Sequence, residues 1–122
     1  MHNQTVLLIE DDTTVLKIAC VMLTRLGYSV LTAEDGLEAI EVFQRHKYEI
    51  RLVLSDFAMP HLDGMKTLQE LRKIVPGIPM ILASGHSEEN VMRGSFKERP
   101  ACFLQKPYNL QALKDAIDLT LR

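Results

Sequence analysis

Three acidic residues in a row, Glu10-Asp11-Asp12, follow directly on the apolar run Val6-Leu7-Leu8-Ile9. A second apolar run ends in a further carboxylate, Asp56, and a third, Ala101-Cys102-Phe103-Leu104, is closed by Lys106-Pro107. If these runs lie side by side as parallel strands, an acidic pair after the first run, Asp56 as a third carboxylate and one ammonium meet at one sheet edge. Like charges held that close cannot all stay ionised without a cation among them. The chemistry such a set predicts is a metal-assisted phosphate site.

The elements that would bring these residues together are legible in the periodicity. Short β-branched or apolar runs alternate with longer segments of helical period, the pattern of repeated βα units around a parallel sheet. Strands are expected at residues 6–10, 29–33, 52–55, 80–83 and 102–105. Most lack polar alternation, as strands covered on both faces should. Leu16, Ala19/Cys20, Leu23 and Leu26 recur at helical spacing before Gly27, which can take the left-handed conformation that ends a helix. Asp35 reads as an N-cap, with Glu38 three residues on, opening a helix through Ala39, Ile40, Val42 and Phe43. Gly64 begins a third helix through Met65, Leu68, Leu71 and Ile74, stopped by Val75-Pro76-Gly77. A fourth is expected over residues 88–97, with a narrow apolar stripe of Val91, Met92 and Phe96 and a Gly94 that costs about 1 kcal/mol relative to alanine. Asn109 caps a fifth through Leu110, Leu113, Ile117 and Leu121. Right-handed crossovers with helices on both faces predict a doubly wound α/β sheet, whose ligands bind beyond the carboxyl ends of the strands at a topological switch point.

Bulk properties narrow the function classes. With 122 residues, 47% hydrophobic and 25% charged, the chain is expected to form one domain spanning 1–122. Its net charge of -2 and pI near 6.1 supply no basic field, so direct nucleic-acid binding is not expected. No apolar stretch approaches the ~20 residues of a membrane span, and residues 1–5 lead straight into a strand rather than a signal peptide, which predicts a cytoplasmic protein. Cys20 and Cys102 sit among apolar residues without CxxC spacing and are expected to be buried reduced thiols. His2, His46 and His61 have no metal-ligand spacing and are expected in solvent, whereas Met59, Met65, Met80 and Met92 read as packing residues.

Five motifs stand together in this chain: Ile9-Glu10-Asp11-Asp12, the stretch from Leu54-Ser55-Asp56 through Met59-Pro60 to Asp63-Gly64, Ala83-Ser84-Gly85, Phe103, and Lys106-Pro107. In their order and spacing the chain resembles the receiver domain of two-component response regulators over essentially its whole length. The resemblance implies a flavodoxin-like (βα)5 sheet with strand order 2-1-3-4-5, which sets the first and third strands side by side at the switch point. It implies that Asp56 is the phosphoacceptor, whose carboxylate attacks a phosphohistidine on a histidine kinase or histidine phosphotransfer domain and forms an acyl phosphate. Mg²⁺, with Mn²⁺ as a substitute, would be held by Asp12 and Asp56 directly, by Asp11 through water, and by the carbonyl of Ala58. Lys106 would place a point charge on the phosphoryl oxygens and the Ser84 hydroxyl a hydrogen bond. The same hydroxyl and the aromatic Phe103 would form the switch that carries the change to the far face, here without the phenolic OH of a tyrosine. The Lys106-Pro107 bond would be cis, and Ala58 and His86 would tune the lifetime of the acyl phosphate. Such a domain is not an enzyme in its own right, but a phosphoacceptor with self-catalysed transfer and autodephosphorylation.

Each motif also has a plainer reading. Adjacent aspartates before a helix are ordinarily a solvated N-cap favoured by the helix dipole. Ser84 can cap the next turn, Lys106 can be a snorkelling surface lysine, and Asp63-Gly64 reads as a turn and helix start. An aspartyl-phosphate hydrolase would need a second acid two residues past its nucleophile, where Ala58 cannot donate a proton. A flavodoxin-like redox carrier would need phosphate donors where Glu10-Asp11-Asp12 repel an FMN phosphate. Two readings stay open: a docking module that is not phosphorylated, and the C-terminal receiver segment of a hybrid sensor histidine kinase, whose parent chain would be a transferase. A monomer or weak dimer is expected.

Overall fold

The structure is a computed structural model and describes residues 4–92 and 98–122. Strand and helix alternate in the order β1 (Thr5–Ile9), α1 (Thr13–Arg25), β2 (Ser29–Ala33), α2 (Gly36–His46), β3 (Ile50–Asp56), α3 (Gly64–Ile74), β4 (Met80–Ser84), α4 (Glu88–Val91), β5 (Cys102–Gln105) and α5 (Leu110–Thr120). Every strand pairing is parallel, and the sheet runs β2-β1-β3-β4-β5, the flavodoxin-like order.

Two apolar layers sandwich the sheet, because successive side chains of a strand point to opposite faces. Leu7 and Ile9 of β1 join Val53, Leu82, Phe43, Met65, Leu68 and Leu71, which places α2 and α3 on one face. Val6 and Leu8 join Leu52, Leu54, Ile81, Leu23, Leu113 and Ile117, which places α1 and α5 on the other. The register of β1 on β3 shifts between Thr5 and Val6, so Arg51 is unpaired. This bulge turns Ile50 to the α2/α3 face and Leu52 to the α1/α5 face, although they are two residues apart.

Side-chain caps start the helices where the sequence places them. Asp35 accepts from Glu38 N at 2.8 Å while Glu38 reaches back to Glu34 N at 2.6 Å, a reciprocal arrangement of the capping-box kind. Asp63 accepts from Lys66 N and Asn109 from Ala112 N, both at 2.8 Å. At the end of α1, Gly27 takes φ +97, the left-handed region open to glycine.

Four expectations need amendment. α4 spans only Glu88–Val91, where residues 88–97 were expected, and Phe96 and Gly94 lie outside the described residues. Its stripe is real at Val91, which is buried, and Met92, which packs against the same layer. β2 is an edge strand whose Ser29 and Thr32 face solvent, so it lacks the two-sided cover expected of most strands. Cys20 and Cys102 are free but only half-buried, because each sits at the margin of the α1/α5 layer. Among the histidines, His61 is exposed, but His46 is half-buried with Nδ1 3.2 Å from Glu49, and His2 lies outside the described residues.

Candidate functional site

Because the strands are parallel, β1, β3, β4 and β5 all end at one edge, and the residues that follow them converge there. Glu10 leaves β1 with its N–H still donated to Ala33 O at 3.0 Å. Asp56 is the last residue of β3, tied in place by Phe57 N donating to Ala83 O at 2.9 Å. Ser84 ends β4, and its carbonyl accepts from Lys106 N at 2.8 Å. Gly64 begins α3 against β3, where a Cβ would lie 2.7 Å from the Asp56 carbonyl oxygen and 2.5 Å from Leu82. Only glycine permits this approach of helix to strand.

Carboxylate oxygens of Glu10, Asp11 and Asp56 lie within 4.8 Å of one another. Lys106 Nζ stands 2.9 Å from Glu10 Oε1 and 3.2 Å from Asp56 Oδ1, with its side chain 22% exposed. Burial pushes the Asp56 carboxyl above its usual range; Lys106 pulls it back, and the charge of Asp11 adds to the rise. Glu10 is raised for the same first reason, opposed by its hydrogen bonds from Lys106 and from Asp12 N. Burial would lower the Lys106 ammonium, but its bond to Glu10 and the charge of Asp56 outweigh this and hold it above the ordinary lysine value. The site therefore gathers three carboxylates around one ammonium, an excess of negative charge that a divalent cation with oxygen ligands fits.

Not every residue expected at the site joins the cluster. Asp12, expected as a direct metal ligand, caps α1 instead: its Oδ1 accepts from Thr14 N at 2.9 Å and Val15 N at 3.1 Å. Glu10, which had no place in the expected ligand set, is the acid that joins Asp11 and Asp56 in the cluster, 5% exposed and bonded to Lys106. The signal available in the sequence was the helix start, since Asp12-Thr13-Thr14 is a good cap and a cap is committed to backbone N–H groups. Ser84 is buried, and its Oγ accepts from His86 N at 3.0 Å. Ala58 and His86 are both exposed. Phe103 is half-buried against the α2/α3 layer, paired in register with Leu82. The Lys106-Pro107 bond is cis. Tyr108, next in the chain, is half-buried and lines an apolar cavity of ≈ 300 Å³ with Val15, Ile18, Ala19 and Met22.

Comparison with known proteins agrees with this architecture. The family model described as the response regulator receiver domain matches residues 6–118. The chain is 39% identical over 112 residues to the transcriptional regulatory protein GlrR of Escherichia coli (strain K12), covering 92% of this chain and 25% of the relative. It is 37% identical over 115 residues to the sensor kinase CckA of Brucella abortus (strain 2308), covering 94% of this chain and 12% of that one. The chain thus spans a quarter or less of these relatives. Among solved structures, a response regulator receiver domain protein from Clostridium thermocellum superposes with a TM-score of 0.88 at 32% identity, covering 97% of this chain and 94% of that one. Receiver domains are phosphoacceptors of two-component systems and bind Mg²⁺ through an acidic cluster. With the family match and the acidic cluster both in hand, the chain belongs to the response regulator receiver domain family.

Proposed function

We propose that the domain accepts a phosphoryl group on Asp56 from a phosphohistidine of a histidine kinase or histidine phosphotransfer domain, and changes its far face in response. The observation that supports this most directly is the position of Lys106, whose ammonium lies 3.2 Å from Oδ1 of the Asp56 carboxylate. An Asp56 oxygen attacks phosphorus, the phosphorus–nitrogen bond breaks, and the imidazole keeps the electron pair. Phosphoryl transfer needs alignment and charge neutralisation more than covalent assistance.

The residues that would hold Mg²⁺ in this reading are Glu10, Asp11 and Asp56 with the Ala58 carbonyl, while Asp12 is left to its cap. When bound, the ion would supply positive charge against the equatorial phosphoryl oxygens. Lys106 exchanges its contact with Asp56 for a phosphoryl oxygen, and Ser84 Oγ offers its hydroxyl proton to another. Drawing Ser84 toward the product pulls on β4, and Phe103, paired on β5 with Leu82 of that strand, is the aromatic that follows. Ala58 and His86, both open to solvent, are the positions that would set how readily water reaches the acyl phosphate.

The similarity to a sensor kinase supports a second context, in which this segment is the receiver of a hybrid kinase rather than of a regulator. The chemistry at Asp56 is the same in both. The working compartment in either is the cytoplasm, whose reducing conditions suit the free thiols Cys20 and Cys102.

Intact-protein mass after incubation with acetyl phosphate, with and without Mg²⁺, tests the reading. A single Mg²⁺-dependent phosphate is expected on the native chain and none on Asp56→Asn. Lys106→Ala should abolish the conformational response. Labelling of Asp56→Asn at another residue would overturn the site, and a native chain that neither labels nor binds beryllofluoride would be a docking module.

A further inference from the structure

Arg72 stands in the last turn of α3, at the edge of the sheet opposite the acidic cluster. Its side chain is only 14% exposed. Nε donates to Ile78 O at 3.1 Å, and Nη1 donates both to Glu98 Oε1 at 2.9 Å and to Arg99 O at 2.9 Å. One planar guanidinium therefore joins the end of α3, the chain entering β4 and the chain entering β5. A lysine ammonium, a point charge on a flexible stem, does not reproduce that fork. Just beyond the contact, Ala101 N donates to Met80 O at 2.8 Å and begins the β4–β5 pairing.

Part of what Arg72 fastens leads into the open edge of the sheet. β5 is a four-residue edge strand paired only with β4, and of α4 only Val91 is buried. Yet β5 carries Phe103 and delivers Lys106 to the site. A displacement of β5 that begins at Ser84 and Phe103 must work against the attachment at its other end.

We propose that Arg72 is a restraint on the switch: a clasp that holds the chain entering β5 against α3 and β4 in the unphosphorylated form and that loosens when Asp56 is phosphorylated. The proposal rests on the receiver reading above. Breaking the clasp lowers the work of switching while leaving every residue at the acidic edge untouched. The phosphorylated form should then be reached more easily.

Amide hydrogen exchange and beryllofluoride–Mg²⁺ titration calorimetry on the full chain, for the native protein, Arg72→Met and Arg72→Lys, test this. Without beryllofluoride, Arg72→Met should exchange faster at residues 99–104. With it, affinity should rise roughly tenfold, the effect of one charge-assisted hydrogen bond, and Arg72→Lys should fall between. If Arg72→Met does not fold, Arg72→Lys and Glu98→Ala carry the same expectation at smaller amplitude. Unchanged exchange, or faster exchange with unchanged or weaker affinity, overturns the restraint alone. A native chain that fails to bind beryllofluoride overturns the receiver reading and the restraint with it.

Discussion

Glu10 and Asp12 are two residues apart and put their carboxylates to different uses. Glu10 is buried against Lys106, whereas Asp12 is exposed and spends its side chain on Thr14 and Val15. Asp12→Asn, which keeps a good cap, should leave Mg²⁺ affinity within about twofold. Glu10→Gln and Asp11→Asn should each weaken it by roughly tenfold or more, read by calorimetric titration. The sequence pointed to Asp11 and Asp12 and passed over Glu10, because the strand end and the helix start fall within one tripeptide, and a shift of one residue there exchanges a carboxylate in the cluster for a cap. Asp56 and Lys106 were easier to single out, each being the only charged group at the end of its own apolar run. Tyr108 offers a test at high pH. Burial and the charges of Glu10 and Asp56 raise its phenol, with Lys106 pulling the other way. A raised folded value gives stability that is complete below the ordinary tyrosine value near 10 and lost as pH climbs through the folded one. Native protein should therefore lose melting temperature over that alkaline window relative to Tyr108→Phe.

Whole elements were legible to the extent that their boundaries rest on local chemistry. α2, α3 and α5 begin at side-chain caps that the sequence displays, and α1 ends at a glycine with positive φ. β2 and α4 were less so, since an edge strand takes its identity from pairing and a one-turn helix from what surrounds it. The bulge at Arg51 leaves no mark in composition, because it shows only against the partner strand. Gly64 links an element to the site: in Gly64→Ala the methyl must displace Leu82 or the end of β3. We expect a loss of about 2 kcal/mol in urea unfolding, accompanied by slower labelling of Asp56. Asn109→Ala should cost about 1 kcal/mol through its lost cap, but leave labelling unchanged, since α5 starts outside the acidic cluster. His61 holds φ 69 in the loop before α3, a conformation that glycine adopts without strain. His61→Gly should then be neutral to stabilising by up to about 1 kcal/mol.

For the molecule as a whole, the large apolar side chains left exposed among the described residues are Ile18 and Val21, neighbours on α1, and Leu37, Tyr48 and Leu119, on α2, the α2–β3 turn and α5. Sedimentation at micromolar concentration should give a monomer or a weakly associating dimer. No described helix is long and apolar enough to cross a membrane. The acidic edge is assembled from residues 10, 11, 56, 84 and 106, contributed by four strands that meet only after the crossovers between them have closed. No fragment cut within any crossover retains a complete set, so binding there is linked to the folding of the entire chain. At a hundredfold excess over its dissociation constant, Mg²⁺ should stabilise the protein by about 2.7 kcal/mol, and the melting temperature should become a titration curve for the ion. The denatured chain, whose carboxylates are scattered along its contour, has no comparable grip on the cation, so an acidic edge proposed to receive phosphate would also serve as a sensor of the chain's own foldedness.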